Sequence, residues 1–594
     1  MSDDFRRVLL AVALSMMVWI GVSWLFPSPE VTEVASTTST EQTVTQNAAT
    51  SQGQDATASQ DNGQKLLPRA EAIEVGDRLP FENNNVEGSI LLQGATVDDL
   101  LLKNYKVNLG GTEEVVLLSP MSAEGVSTRF ENGWLDVNNQ VNEPNAQSVW
   151  QADGEKLTPT TPVTLTWDNG EGFVFVQKYE MDENYLFTVS RSVINNTDTA
   201  VDLVEYQQVV TIGQREPNRL VRTGAVAYVN ELYNQRYNKM DIGYRADFPP
   251  KPKKAEDVQG TLTGGWIGFT ERYWLTAVVP QSTQEGQAYF RALGDATTPI
   301  YQAVFKDTPI TIAANSQSDA SVGRFYSGAK EYDVLMDVSK TYNIKRFQRS
   351  IDFGVFYYLT QPFLMVLTWL HHFIGNMGVA IIGLTVIVKL ILFPLAYKSY
   401  KSMARMKNLQ PKMQTLKEQY GDDRQGLQKA TMELYRKEKV NPAAGCLPLL
   451  IQIPIFFSLY KVLNIAIEMR HAPFFGWIHD LSAPDPTSWI NLFGLLPWDG
   501  MPSHWTPTLT MLDMFALGIW PLLMGISMYL QQTLNPAPAD KQQAMIFKWL
   551  PVVFTFMMGG FASGLVIYWT ANNILSFGQQ WFINRNVNRD AKAK

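Results

Sequence analysis

Cysteine and histidine are nearly missing from this chain. Its 594 residues hold one cysteine, Cys446, and five histidines. A single thiol excludes an intramolecular disulfide, so any exported domain stands on its core alone. No histidine lies between residues 27 and 350, and neither HExxH nor CxxC occurs. His371 and His372 are adjacent, which places them on different faces of a helix. These counts are too few for most transition-metal sites, and we expect no metal, no cofactor and no catalytic residue. A basic excess is missing as well. The 49 Lys and Arg stand against 57 Asp and Glu, a net charge of −8, which argues against a general nucleic-acid binder.

What is present is uneven. The mean hydropathy of −0.11 averages a polar first half with an apolar second half, and 594 residues exceed one ordinary core. Arg6-Arg7 precede an uncharged apolar run, Val8 to Phe26. That run is longer than a signal peptide's and lacks a clear cleavage site, so residues 1–26 read as an N-terminal signal-anchor helix with its start in the cytoplasm. Residues 27–72 are rich in Ser, Thr, Gln and Ala. They bury too little to offset ordering entropy and read as a disordered linker. Residues 73–334 alternate apolar and polar between Gly, Pro, Asn and Asp clusters, with Asp168-Asn169-Gly170 as a hairpin cue. We expect a large β-sandwich outside the cytoplasm. Its lack of histidine disfavours a sugar-isomerising enzyme and favours a scaffold or docking module.

The basic-apolar stretch 332–349 predicts a helix on the membrane face, and Gln361-Pro362 is expected to break the next apolar run. We therefore read 335–376 as interfacial helices. The insertion of one charge into an apolar span follows. GVAIIGLTVIVKLILFPLAY, Gly378 to Tyr397, is long enough to cross a bilayer and contains Lys389. An ammonium at membrane depth costs roughly 2.5–3.5 kcal/mol on insertion scales. On position alone, Lys389 is either a cation facing a wet cavity or a lysine snorkelling to the interface.

Residues 398–440 carry eleven Lys and Arg and five Asp and Glu, which marks the loop as cytoplasmic. Met406, Leu409, Met413, Leu416 and Tyr420 share one helical face. Gly421-Asp422-Asp423 turns the chain, and Leu427, Ala430 and Leu434 form a matching face. A basic helical hairpin results, suited either to solvation and topology or to docking on something acidic. Spans are expected at 443–469 and 514–534, with two more between Phe547 and Trp581 that join at Gly559 to Gly564. Asp480, Asp485, Asp499 and Asp513 put the intervening loop outside, and Arg585, Arg589, Lys592 and Lys594 hold the tail inside. The fold class is thus a polytopic α-helical membrane protein. It has six transmembrane helices, both termini cytoplasmic, and a large periplasmic β-sandwich domain.

Three segments carry a resemblance: NPAAGCLPLLIQIPIFFSLY (441–460), APFFGWIHDLSAPDP (472–486) and FASGLVIYWTANNILSFGQQ (561–580). With the basic hairpin and the exported β domain, the chain resembles the YidC/Oxa/Alb membrane-protein insertases in their long Gram-negative form. The resemblance implies an inner-membrane insertase core over 377–594, not an enzyme. It implies a hydrophilic groove open to cytoplasm and lipid, lined by polar residues and one cation. Lys389 takes the cation position, where the commoner pattern has arginine. Gln452 and Trp569 map to groove positions, and Tyr568 and Asn573 complete the candidate set. Without the resemblance, Tyr568 and Trp569 suit ordinary aromatic packing, and Gln452, Asn572 and Asn573 suit interhelical glue. The implied partners are nascent membrane proteins, the Sec translocon and the lipid bilayer. Ribosomes and targeting factors would meet hairpin 398–440 and the C-terminal tail. The loop Thr487–Thr510, with LFGLLPW, departs from the family pattern and is a candidate to dip into the membrane. A solute transporter would show repeated halves, and an intramembrane protease a nucleophile with its base. Both stand as alternatives, with neither feature in evidence.

Overall fold

The computed structural model describes residues 66–213, 223–228, 261–293, 299–421, 423–438, 440, 447–488, 492–493, 517–535 and 541–592. The anchor expected at 1–26, most of the linker, Cys446 and most of the loop Thr487–Thr510 lie outside the described residues.

The alternating region forms two antiparallel sheets. One has ten strands, running from Arg78–Glu82 through Thr96–Lys106, Ser127–Asp136, Val201–Ile212 and Ile300–Asp307 to Thr261–Thr263. The other has nine, from Gly224–Tyr228 through Trp274–Pro280, Ser321–Ala329 and Leu186–Asn195 to Gln151–Ala152. The expected hairpin joins Val163–Asp168 to Phe173–Met181. Its loop has four residues rather than two, because the Asn169 side chain accepts from Glu171 N (2.8 Å) and Phe173 N (3.1 Å). Phe187 and Phe325 of one sheet stack at 4.5 Å, and Phe325 meets Phe130 of the other at 4.1 Å, which closes the sandwich. Residues 66–72, which composition reads into the linker, instead pair with this domain. Leu67 N donates to Ser122 O (2.8 Å), Arg69 pairs with Asp99, and Ala72 is buried.

One row of the sandwich core is charged. Arg191 is 0% exposed and lies 3.1 Å from Glu205 and 3.7 Å from Asp307. All three occupy core-facing strand positions that would otherwise hold apolar residues.

The helical half begins with α1 (Tyr332–Thr341) and α2 (Tyr357–Ile374). The expected single helix over 332–349 stops early. Asn343 and Arg346 both take positive φ (54° and 55°), while Leu335, Val338 and Phe347 are buried. Phe347 packs edge-on against Tyr326 and Trp266 of the β domain. The basic residues therefore sit on a connection that holds one 3-10 turn, Phe347–Ser350 with Arg349 in it, and not on a continuous α-helix. Pro362 does not break α2. It lies in the second turn and removes the donor that would have met Tyr358 O, and the helix continues without that bond. Gly375 (φ 78°) ends α2, and the Asn376 side chain caps α3 (Met377–Asn408) by accepting from Val379 N at 3.0 Å.

Among the described residues, α3 is the one helix both long and apolar enough to cross a membrane by itself. It runs unbroken past Pro394 into the basic hairpin of α4 (Gln410–Tyr420) and α5 (Arg424–Lys437). Tyr435 Oη donating to Met413 Sδ at 3.2 Å and Lys412 pairing with Glu438 at 2.6 Å join the two arms. The remaining helices are α6 (Leu447–Ile465), α7 (Ile519–Thr533), α8 (Lys541–Met558) and α9 (Ser563–Lys592). α3 and α9 run parallel. Ile381 lies over Gly564 near their starts, and Tyr400 and Ala404 pack with Ile583 and Val587 near their ends. Gly525 of α7 meets Thr555 of α8 so closely that a Cβ would lie 2.0 Å from its Oγ1.

The β domain is tied to the start of this bundle. Arg272 Nε donates to Asn464 O at 2.9 Å, and Arg470 donates to Val107 O at 2.8 Å. Glu331 accepts from Tyr105 (2.9 Å) and Tyr185 (2.8 Å).

The charged row predicts a pH dependence. Burial pushes Asp307 up to about 7, against the pull of Arg191. The native state then holds a proton that the unfolded chain releases near 3.8. Its stabilisation is full below about pH 4 and is lost as pH rises through about 7. Denaturant titrations across that window should show this fall in the native chain. Asp307→Asn should flatten it, and an unchanged slope would exclude Asp307 as the group responsible.

Candidate functional site

α9 is the wall on which the candidate residues meet. Its residues Tyr568, Asn572, Ser576 and Gln580 recur every four positions and so form one polar ridge along the span. Each neighbouring helix meets α9 through its own contact. Gln452 of α6 donates to Tyr568 Oη at 2.8 Å, and Lys389 of α3 donates to Ser576 Oγ at 2.7 Å. Asn573 donates to Ser527 of α7 at 3.1 Å, and Gln580 donates to Asn535 at 3.0 Å. Tyr568, Asn573, Ser576 and Gln580 are all buried.

The five expected residues are therefore brought onto one helix but not into one cluster. Eight residues, ~12 Å, separate the Tyr568 contact from the Ser576 contact. Asn573 bonds across to Ser527 of α7 rather than to Lys389 or Gln452. Trp569 packs edge-on against Phe456 of α6 (4.6 Å, 76°) and tilted against Phe554 of α8 (5.7 Å, 45°). It fills the space between those two helices. Ile453 and Phe457 on α6, and Val552, Val553 and Met557 on α8, are exposed beside it.

Lys389 is half-buried. Because α3 and α9 advance together, its Cα lies at about the level of Asn572. The stem carries Nζ roughly one turn, ~5 Å, toward the hairpin end to reach Ser576. Ser576 Oγ in turn donates to Asn572 O at 2.6 Å. Among the described residues this is the one hydrogen bond to an ammonium with three donors. Residue types alone did not single out Ser576 and Ser527, since serines are common in such spans. The four-residue recurrence on α9 was the available signal for Ser576.

The other end of the bundle is closed by 470–488. Asp485 accepts from Trp477 Nε1 (3.0 Å), Thr487 N (3.0 Å), Thr487 Oγ1 (2.7 Å) and Trp520 N (2.8 Å). Ala483 O and Leu481 O accept from Ser563 N (2.7 Å) and Gly564 N (3.0 Å). They satisfy the free donors that open α9.

Comparison with known proteins settles the family. A family model described as YidC periplasmic domain matches residues 78–366, and one described as 60Kd inner membrane protein matches 369–591. A protein of Beijerinckia indica subsp. indica named membrane protein insertase YidC is 42% identical over 612 residues, covering 99% of this chain and 97% of its own length. The chain belongs to the YidC family of membrane protein insertases. A relative of the same name from a Ruegeria species is 46% identical, covering 84% of this chain and 82% of its own. A solved structure described as an active YidC insertase with the first transmembrane domain resolved covers 84% of this chain and 90% of that one. It does so at 17% identity and a TM-score of 0.35. The membership rests on the sequence matches. It makes the chain an inner-membrane insertase with a periplasmic domain, acting on nascent membrane proteins at the lipid bilayer and not an enzyme. The transporter and protease alternatives fall with it.

The single contact to Lys389 predicts how dry its surroundings are. Ser576→Ala removes the acceptor without adding bulk to a buried site. If the ammonium depends on Ser576, thermal unfolding in detergent should register a loss of about 1–3 kcal/mol. A loss near zero would mean that water already serves the lysine.

Proposed function

We propose that Lys389 is the cation of a hydrated groove that carries polar segments of a substrate across the cytoplasmic half of the membrane. The observation that supports this is the half-buried ammonium, held by Ser576 alone among the described residues, with its head drawn toward the hairpin end. Six spans with both termini in the cytoplasm satisfy the charge pattern of the loops. In that orientation the hairpin end is cytoplasmic, and the end closed by Asp485 is periplasmic.

The physics follows from hydration. A polar tail must cross a barrier made mainly of hydrocarbon, and each unsatisfied backbone group there costs several kcal/mol. A groove wet in the inner half and shut outside shortens the dry path. Lys389 attracts acidic residues of the incoming segment. Gln452, Tyr568 and Asn573 offer polar contacts that can be exchanged as that segment passes. The substrate's apolar helix leaves between α6 and α8, past Trp569, Phe456 and Phe554, onto the exposed aliphatic faces of both helices. Burial in lipid then drives completion, and no bond is made or broken.

The hairpin of α4 and α5, with the C-terminal tail whose Arg585, Arg589 and Lys592 fall on the last turns of α9, suits ribosomes and targeting factors through its basic surface. The periplasmic domain, fastened to the outer end of α6, suits partners beside the bundle, the Sec translocon among them.

Two measurements test this reading. Lys389→Ala should abolish insertion of substrates with acidic translocated segments, while Lys389→Arg retains it. Normal insertion by the alanine variant would remove Lys389 from the mechanism. A photo-crosslinker at Trp569 should capture the apolar segment of a ribosome-stalled single-span substrate and lose it when that segment is made polar. Silence from a folded, membrane-integrated variant would leave Trp569 as packing.

A further inference from the structure

The connection between α1 and α2 carries a charge that the insertion pathway does not use. Residues 342–356 read YNIKRFQRSIDFGVF, with three cations and one carboxylate, Asp352. Lys461 of α6 takes Asp352 at 2.5 Å. Ile344, Phe347, Ile351 and Phe353 are buried, which fixes the segment to the body of the protein. Lys345 and Arg346 are exposed, and the Arg346 guanidinium lies 5.9 Å over the Tyr228 ring. The Arg349 guanidinium lies 4.9 Å over the Tyr357 ring. Among the described residues, neither Lys345 nor Arg349 forms an ion pair. A few residues on, three apolar side chains stand out. Val355 is 91% exposed, Tyr358 74% and Phe356 37%.

The placement of this patch is fixed by α2. The residues that lead into α2 are held at Lys461, near the last turn of α6. The end of α2 passes through Gly375 and Asn376 directly into the first turn of α3. Both ends of α2 therefore lie at the same end of the bundle, and the helix lies across that end. With the orientation proposed above, on which this inference rests, that end is the periplasmic membrane surface.

Cations there run against the charge bias that leaves Lys and Arg on the cytoplasmic side. They have little to gain from water that they would not gain elsewhere. Beside exposed valine and tyrosine at the level of the headgroups, they have a partner: the tails take the apolar side chains, and the phosphates take the charges. Arginine matches phosphate with two parallel hydrogen bonds, and lysine supplies a point charge. We propose that Lys345, Arg346 and Arg349, with Val355, Phe356 and Tyr358 as the apolar anchor, form a docking site for anionic phospholipid headgroups of the outer leaflet. The site fixes α2 in the plane of the membrane beside the bundle.

The test uses the full chain in liposomes, with an environment-sensitive fluorophore on Val355→Cys in a Cys446→Ser background. Brominated phosphatidylglycerol and brominated phosphatidylcholine serve in turn as quenchers at equal mole fraction. Phosphatidylglycerol should quench in several-fold excess. In K345Q/R346Q, which leaves Arg349 in place, the excess should fall toward parity at low salt. Equal quenching by the two lipids in the unaltered patch would overturn the headgroup site while keeping the patch in the membrane. Labelling of the Val355→Cys thiol in cells by a membrane-impermeant reagent tests the orientation separately. Reaction only from the cytoplasmic side would overturn the orientation and the outer-leaflet assignment together. Quenching by neither lipid would overturn the docking site even with the orientation intact.

Discussion

A single charge that must live inside an apolar bundle governs how the helices are arranged around it. Lys389 lies on the longest apolar helix, and an ammonium at that depth needs both an acceptor and a route to water. α9 supplies the acceptor. Its polar ridge meets α3, α6 and the region of α7 at different turns, so each neighbour is fixed in depth by one hydrogen bond and in rotation by aliphatic packing. Such contacts are each worth only about 0.6–2 kcal/mol. The arrangement is accordingly held in register without being locked.

The two ends of the bundle are built to different rules. At one end, Asp485 gathers four donors and the 481–483 carbonyls cap α9. Such charge-assisted, buried bonds are the stiff kind. The β domain adds its own ties there, through Arg272 to Asn464 in the last turn of α6 and through Val107 to Arg470 just beyond it. At the other end, α3 simply continues into the hairpin, whose arms touch through half-buried side chains and one exposed ion pair. A rigid, sealed end opposite a looser, basic end is a physical asymmetry, and an insertase needs direction.

Much of this was legible from residue order. Period-two alternation announced the sandwich, because a strand with one buried face writes its pattern directly. The charge count of 398–440 marked the basic hairpin, because composition within one short loop is purely local. The reading failed where distant residues decide. Stretch 332–349 has helical composition, yet Phe347 is claimed by Tyr326 and Trp266, and the chain bends at Asn343 and Arg346 to deliver it. Composition likewise put 66–72 in the linker, though Ser122 and Asp99 hold them. The charged row of Arg191, Glu205 and Asp307 was invisible, since each residue alone looks like a surface position in an alternating strand.

The sequence by itself determined the family, the sandwich, the apolar span with its one cation and the basic hairpin. These depend on composition and period within short windows, where each residue's neighbours in the chain are its neighbours in space. Only the tertiary structure decided that Lys389 rests on Ser576, that Trp569 stands between Phe456 and Phe554, and that α2 lies across the end of the bundle. Those facts depend on which helix faces which and at what depth. The rotation and register of a helix pair are fixed by packing summed over both surfaces, and no single stretch of chain contains that sum.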